Sequence, residues 1–228
     1  MENIIELKGA TRIYRQGAID VVAVDSLDLS IAKGEFTVLS GPSGSGKTTV
    51  LNMIGMLDVP TRGQVFFEGQ DVSRLNRTAL SRLRRDRIGF IFQAYNLIPV
   101  LTAYENAEMI MALKGDPPAK RRERVMALLE EVGLKGLESR RPDELSGGQQ
   151  QRVAIARAMA AEPAVVLADE PTANVDSETA AAILNHMERL NAEHQVTFLF
   201  STHDPLVMSR ARRIIRLKDG HLDQEERR

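Results

Sequence analysis

One stretch restricts the fold of this chain more than any other. An apolar run, Phe36–Leu39, leads into Gly41-Pro42-Ser43-Gly44-Ser45-Gly46-Lys47-Thr48, and a helical pattern follows over Lys47–Leu57. Strand, glycine-rich loop and helix in this order match G-x-x-x-x-G-K-[ST] in its required context. The glycines let successive N–H groups curl around an anion where a Cβ would obstruct them. The helix aims its unpaired N–H groups at the same point. Lys47 offers a point charge to the β- and γ-phosphates of a nucleotide, Thr48 a hydroxyl to Mg²⁺, and Thr49 completes the set. A Gly/Ser turn ahead of a helix, with no ligand, is the bland alternative.

The rest of the chain repeats the alternation. Ile88–Phe92, Val165–Ala168 and Val196–Phe200 are apolar runs suited to strands covered on both faces. Helical patterns occupy Ala119–Val132, Gln149–Ala160 and Glu178–Leu190. An α/β fold with a mainly parallel sheet is therefore expected. Ile4–Leu7, Val21–Val24, Leu27–Ile31 and Val65–Phe67 read as short strands of an antiparallel β layer. Ile214–Leu217 and His221-Leu222 flank Lys218-Asp219-Gly220 as a small hairpin, and the charged tail Asp223–Arg228 is expected to fray. Residues 94–161 are expected to form an inserted helical subdomain. Residues 1–93 and 162–228 would then form the core and β layer of a single domain.

Composition narrows the chemistry. The 228 residues carry a net charge of -1, which gives no global attraction to nucleic acid or anionic lipid. No cysteine is present, so disulfides, thiolate metal sites and cysteine nucleophiles are excluded. The histidines have no metal-ligand spacing. No run approaches a membrane span, and Met1-Glu2-Asn3 does not start a signal peptide, which predicts a cytosolic chain. The clusters Arg82–Arg87 and Arg121–Arg124 read as solvated faces.

Two further constellations carry chemistry. The apolar run at 164–168 delivers Asp169-Glu170 to a strand's carboxyl end, where α/β folds place their ligands. Asp169 suits Mg²⁺, and Glu170 can accept a proton from attacking water. By itself the pair also fits a solvated turn before Pro171. Ser146-Gly147-Gly148-Gln149 opens a helix with a good N-cap and exposed N–H groups, a second potential anion cradle, although capping alone explains an isolated Ser-Gly-Gly.

Together these residues resemble the ATP-binding cassette (ABC) ATPase family. The diagnostic string is Leu145-Ser146-Gly147-Gly148-Gln149-Gln150-Gln151-Arg152, lying between the phosphate loop and Asp169-Glu170. The resemblance runs from Ile4 to about Leu222. It implies the P-loop NTPase cassette fold, with Mg-ATP as ligand and ATP hydrolysis as activity. It also implies that Tyr14 stacks on adenine, where a packed core tyrosine is the alternative. Gln93 would reach Mg²⁺ and the attacking water, and His203 the γ-phosphate, though a lone histidine is more often structural. Ala173-Asn174-Val175-Asp176 would cross a dimer interface, with Val175 where the family more often has Leu. A second ATPase subunit packed head to tail would bring its Ser146–Gln149 to the Gly41–Thr49 loop of the first.

Finer strings are similar to the lipoprotein-release and macrolide-efflux subgroup: Ile88–Gln93, Tyr95-Asn96-Leu97-Ile98-Pro99, Thr102–Asn106, Asn52-Met53-Ile54-Gly55 with Asp58, and Gln16–Asp20. This implies export or extraction of a lipoprotein, lipid, drug or similar substrate. The partners would be integral membrane subunits, two in number, with extracytoplasmic domains. The chain would then sit peripherally on the inner face of the cell membrane. The apolar segment Tyr95–Leu101 would receive a cytoplasmic helix of the partner, ordinary subdomain core being the alternative. Two competing readings are a soluble ABC ATPase acting on DNA or the ribosome, and a small-molecule kinase. The near-neutral charge weakens the first, and Leu145–Gln149 with His203 are unexplained by the second.

Overall fold

The computed structural model describes residues 2–17 and 19–228, with only the backbone of Gln16; Ala18, within the stretch Gln16–Asp20, lies outside the described residues. In chain order the elements begin β1 (Asn3–Gln16), β2 (Ile19–Ala32), β3 (Phe36–Ser40), α1 (Lys47–Ile54), β4 (Arg62–Phe67), β5 (Gln70–Asp71) and α2 (Arg77–Arg87). Next come β6 (Ile88–Ile91), α3 (Ala103–Lys114), α4 (Pro118–Glu131), α5 (Gly147–Ala160), β7 (Val165–Asp169) and α6 (Ser177–His194). The chain closes with β8 (Thr197–Ser201), α7 (Pro205–Arg210), β9 (Arg213–Lys218) and β10 (His221–Arg227). Two compact units result. One contains the chain up to Arg84 with Thr197–Arg228, the other Arg85–Val196.

In the first unit an antiparallel sheet runs β2-β1-β4-β5. The short strands expected at 4–7, 21–24 and 27–31 merge into two strands of 14 residues each. Bulges explain the difference. Gly9 and Ser26 have φ of 54° and 47°, and the β1–β2 register shifts near them. Each bulge turns the alternating pattern over, so one long strand reads as broken pieces. Beside this sheet, β3 is parallel to both β8 and β9. Phe36, Phe198 and Phe200 are fully buried, with ring centroids 4.7 to 5.9 Å apart, and fix the pairing of β3 with β8.

The hairpin near the end forms as expected, with its turn at Asp219-Gly220 in the left-handed region. The tail does not fray. It continues as β10 to Arg227 because a buried cation holds it. Arg213, whose side chain is 6% exposed, lies 2.9 Å from Glu225 and 3.1 Å from Glu35, and donates to the Ser30 carbonyl. Burial alone would lower the pKa of Arg213, but its bonds to Glu225 and Glu35 outweigh that and raise it.

In the second unit β6 and β7 are parallel, from Ile88↔Val165 to Ile91↔Ala168. The regular elements between them are helical. Gly89 permits close packing, since a Cβ there would lie 2.6 Å from the Ala158 carbonyl oxygen of α5. Helix α3 starts at a capping box, Thr102 with Glu105, and ends at Gly115 with φ of 82°. α5 is buried along most of its length, from Val153 to Ala160.

Candidate functional site

The phosphate loop is built as a shell of backbone groups. Gly41, Gly44 and Gly46 have φ of 151°, 80° and 98°, a region L side chains avoid. At two of them space also forbids a side chain. A Cβ on Gly41 would lie 2.2 Å from the Leu217 carbonyl oxygen, and one on Gly46 2.6 Å from that of Ala23. Helix α1 begins with Gly46 as N-cap and has no side-chain cap, so its first N–H groups stay open to a ligand. Lys47 Nζ donates to the Gly41 and Pro42 carbonyls at 2.8 and 2.9 Å, which arches its ammonium back over the loop. The hairpin turn supports the loop from beneath, with the Gly220 N–H donating to the Ser45 carbonyl. The Ser45 hydroxyl is buried without a hydrogen-bond partner among the described residues. These features fit a polyphosphate: an uncapped helix start, open N–H groups and a cation over the loop. Thr48, the second residue of α1, is exposed.

His203 follows β8, whose Ser201 pairs with Leu39 of β3. The phosphate loop and His203 thus leave the carboxyl ends of adjacent parallel strands, which the Thr202 N–H bond to Leu39 O continues. His203 is exposed. Tyr14 lies on β1, half-buried, with its hydroxyl donating to Asp58.

In the second unit Asp169 ends β7, and Glu170 follows in the left-handed region with φ of 45°. A non-glycine residue there costs about 1–2 kcal/mol, a strain typical of functional turns. The turn closes through the Ala173 N–H to Glu170 O. Gln93 is exposed just beyond β6, the strand paired with β7, so it and the two acids emerge from neighbouring parallel strand ends.

Gln93 is also tied to the loop after β7. Asn174 Nδ2 donates to the Gln93 carbonyl at 2.8 Å, and the Tyr95 hydroxyl donates to the Asn174 carbonyl at 3.2 Å. Burial raises the Tyr95 pKa. Tyr95 and Asn96 are both left-handed, at 59° and 50°. Arg157 of α5 holds that turn, donating to the Tyr95 and Asn96 carbonyls at 2.8 and 2.5 Å. Desolvation lowers the Arg157 pKa. After the turn, the buried Asn106 side chain bonds the Ile98 N–H and the carbonyls of Ile98, Leu101 and Thr102. Segment 95–101 is thereby fixed outside any helix, with Val100 72% exposed.

The Ser146 helix start is compact. Ser146 and Gln149 form a reciprocal capping box on α5. Asp176 caps α6 through the Thr179 N–H and hydroxyl, bonds that lower its pKa. Space is tight at both glycines: a Cβ on Gly148 would meet the Thr179 methyl at 2.3 Å, and one on Gly147 the Tyr95 hydroxyl at 2.8 Å, the far end of a side chain. Ser146 stays exposed.

Sequence reasoning named Gln93, Asn174 and Tyr95 but did not see that they are bonded together. It gave no role to Arg157 or Asn106. Their partners are fixed by a folded turn, and for Arg157 they lie 61 and 62 residues away.

Comparison with known proteins identifies the family. Residues 24–173 match the family model described as ABC transporter. An ABC transporter ATP-binding protein of Thermotoga maritima is 44% identical, covering 100% of this chain and 97% of that protein. The macrolide export ATP-binding/permease protein MacB of Syntrophobacter fumaroxidans is 45% identical over 98% of this chain, which spans 32% of MacB. A solved dimeric ATP-binding cassette in a post-hydrolysis state, bound to ADP and Pi, superposes with a TM-score of 0.90 at 43% identity, covering 98% of both chains. Transport therefore stands over the alternative of action on DNA or the ribosome, and hydrolysis of ATP over a kinase reaction. The chain belongs to the ABC transporter family, as an ATP-binding subunit that hydrolyses ATP.

Proposed function

We propose that this chain powers export or extraction through separate membrane subunits, as half of a head-to-tail pair of cassettes. The observation that carries the reading is a second glycine-bearing helix start in a chain that already has a phosphate loop. The first start is the uncapped α1 with Lys47 arched over its loop, the second the exposed Ser146 start of α5. The self-capped α5 start with its exposed serine gains a role if each nucleotide is held by Gly41–Thr49 of one subunit and capped by Ser146–Gln149 of the other. The likeness to a dimeric cassette with ADP and Pi supports this.

In this reading Lys47 and the loop N–H groups hold the β- and γ-phosphates, and Tyr14 stacks on the adenine. Thr48, Gln93 and Asp169 would hold Mg²⁺, which supplies neutralisation of phosphate charge. Glu170 takes a proton from the attacking water, Gln93 orients that water, and His203 contacts the γ-phosphate. Asp176 sets the loop that faces the second subunit. The Asn174 bond to Gln93 links that loop to the water-orienting residue, so nucleotide state at one is felt at the other.

The work is done on integral membrane partners, two in number, with extracytoplasmic domains, and the chain is peripheral on the inner face of the membrane. Among the described residues no helix is long and apolar enough to cross a membrane. The substrate would be a lipoprotein, lipid or drug, and similarity to the macrolide export protein MacB supports the drug class among these. Residues 94–161 act as the helical subdomain that transmits motion. Their segment Tyr95–Leu101, exposed at Ile98 and Val100, receives a helix of the partner. Leu97→Ser with Leu101→Ser is expected to lower transport by the assembled complex far more than hydrolysis by the isolated chain.

The decisive experiment uses Glu170→Gln. ATP binding should persist, hydrolysis should fall about 100-fold or more, and a dimer should accumulate with ATP in size-exclusion chromatography. Near-normal turnover would remove the proton-acceptor role. Ser146→Arg should prevent the ATP-dependent dimer while each chain still binds ATP; an unimpaired dimer would remove the shared site.

A further inference from the structure

The ring of Tyr14 is held by two charged residues to which the reading above gives no role. Arg12, two positions earlier on β1 and on the same face of the strand, lays its guanidinium over the ring with Cζ 4.6 Å from the centroid. Asp58 grips both. Its Oδ2 accepts the Tyr14 hydroxyl at 2.8 Å and lies 2.8 Å from Arg12 Nε. Its Oδ1 accepts the Val59 N–H at 2.8 Å, which fixes the carboxylate's own plane. The arrangement is sheltered, with the Arg12 and Asp58 side chains 23% and 19% exposed.

Asp58 sits directly downstream of the helix that starts in the phosphate loop. The N–H groups of Leu57 and Asp58 both donate to the Asn52 carbonyl of α1. Three residues later the chain is stitched back to β1, by the Thr61 N–H to Thr11 O at 2.7 Å and the Ile13 N–H to Thr61 Oγ1 at 3.1 Å. The ring of Tyr14 is thus referenced to the far end of α1, whose near end carries the phosphate loop.

We propose that Arg12 and Asp58 are positioning residues for the nucleotide base. Asp58 locks the Tyr14 ring at a set orientation relative to α1, and Arg12 occupies one face, so that a purine stacks on the other. The inference rests on the reading of Tyr14 as the base platform. A cation on one ring face also draws electron density from the other, which favours an electron-rich purine over a pyrimidine. Because the clamp orders the ring before ligand arrives, its benefit falls on binding rather than on cleavage.

The test measures steady-state hydrolysis of ATP and of CTP, with inorganic tripolyphosphate as a competitor that has phosphates and no base. Asp58→Ala and, as a second variant with an unaltered segment after α1, Arg12→Met should each raise KM for ATP about fivefold with a smaller effect on kcat, and narrow the preference for ATP over CTP. Asp58→Asn, which keeps an acceptor for the hydroxyl, should recover part of the loss. Inhibition by tripolyphosphate should be unchanged in all three. If tripolyphosphate inhibition weakens in parallel with ATP, the clamp shapes the phosphate loop and the inference is overturned. If Tyr14→Ala raises KM while Asp58→Ala and Arg12→Met do not, the ring needs no clamp and the inference is again overturned. If Tyr14→Ala itself leaves KM unaltered, the base-platform reading fails first and takes the clamp with it.

Discussion

Gly148→Ala separates two explanations of the glycine that follows Ser146-Gly147. A glycine there could serve to let phosphate approach from outside, or to let α5 approach α6 from inside. The added Cβ would lie 2.3 Å from Thr179 Cγ2, more than 1 Å inside ordinary contact, and 3.7 and 3.8 Å from Thr179 Cβ and Oγ1. Thr179 cannot simply rotate, since its hydroxyl donates to Asp176 Oδ2 at 2.8 Å. Forcing a methyl into such a contact costs about 1–3 kcal/mol, and breaking the cap bond instead costs about 1 kcal/mol. A loss of about 2 kcal/mol is expected, or a thermal midpoint lower by about 6 °C for a chain of this length. Thr179→Ser deletes only the obstructing methyl and keeps the hydroxyl on Asp176. In that background Gly148→Ala should be close to neutral, a coupling of about 2 kcal/mol within the range for residues in contact. Thermal melts of the four proteins measure the coupling, and ATP hydrolysis should recover with stability. Additive losses would refute the steric argument. Restored stability with hydrolysis still absent would show that the outward face is what requires glycine.

Two further expectations follow from the same unit. Arg157→Met removes both donors from the left-handed Tyr95–Asn96 turn and should cost about 2 kcal/mol in thermal melts, with hydrolysis falling further because the Gln93 segment loses its anchor. Arg157→Lys should not restore it, since one ammonium cannot reproduce the planar fork. His186 has its pKa lowered, first by desolvation and then by Arg189 and Arg152. A histidine with a depressed folded pKa contributes stability above its unfolded value of about 6.5, and that contribution is lost as pH falls through the folded value. Stability should therefore decline between pH 7 and pH 5, and His186→Gln should flatten the decline. An equal slope in the variant would assign the pH dependence elsewhere.

What could be read in the sequence was local. The phosphate loop, its flanking strand and helix, the Ser146 helix start and the Asp169-Glu170 strand end are each set by fewer than a dozen consecutive residues. Their residue types are imposed by backbone angle or by charge. Glycines at 41, 44 and 46 are legible because their backbone angles strongly favour glycine. The length of β1 and β2 was not legible, because bulges at Gly9 and Ser26 invert the alternation on which strand reading depends. The order of the tail was hidden too. Asp223–Arg228 is charged at every position but Gln224, and only its pairing with β9 brings Glu225 to a buried arginine. Helices α3 and α7 had readable starts in Thr102 with Glu105, and in Asp204 with Pro205. At α3 the starting residues precede a helix with little apolar contrast between its faces. The Tyr95–Asn174–Gln93 bonds and the Arg157 anchor join residues far apart in sequence, and local pattern carries no trace of them.

The strand β10 has a consequence for how copies of this protein behave in company. It is the outermost strand on its side of the sheet, and each of its residues is exposed. A bare strand margin invites the corresponding margin of another molecule to pair with it. Here that margin carries Asp223, Glu225, Glu226 and Arg227 in close succession, with Arg227 and Arg228 folded onto neighbouring glutamates. Any chain that approached to extend the sheet would have to strip water from this row of charges. The buried arginine that holds the strand in place also keeps the row in position. The sheet margin formed by β10 is therefore protected against pairing with another copy.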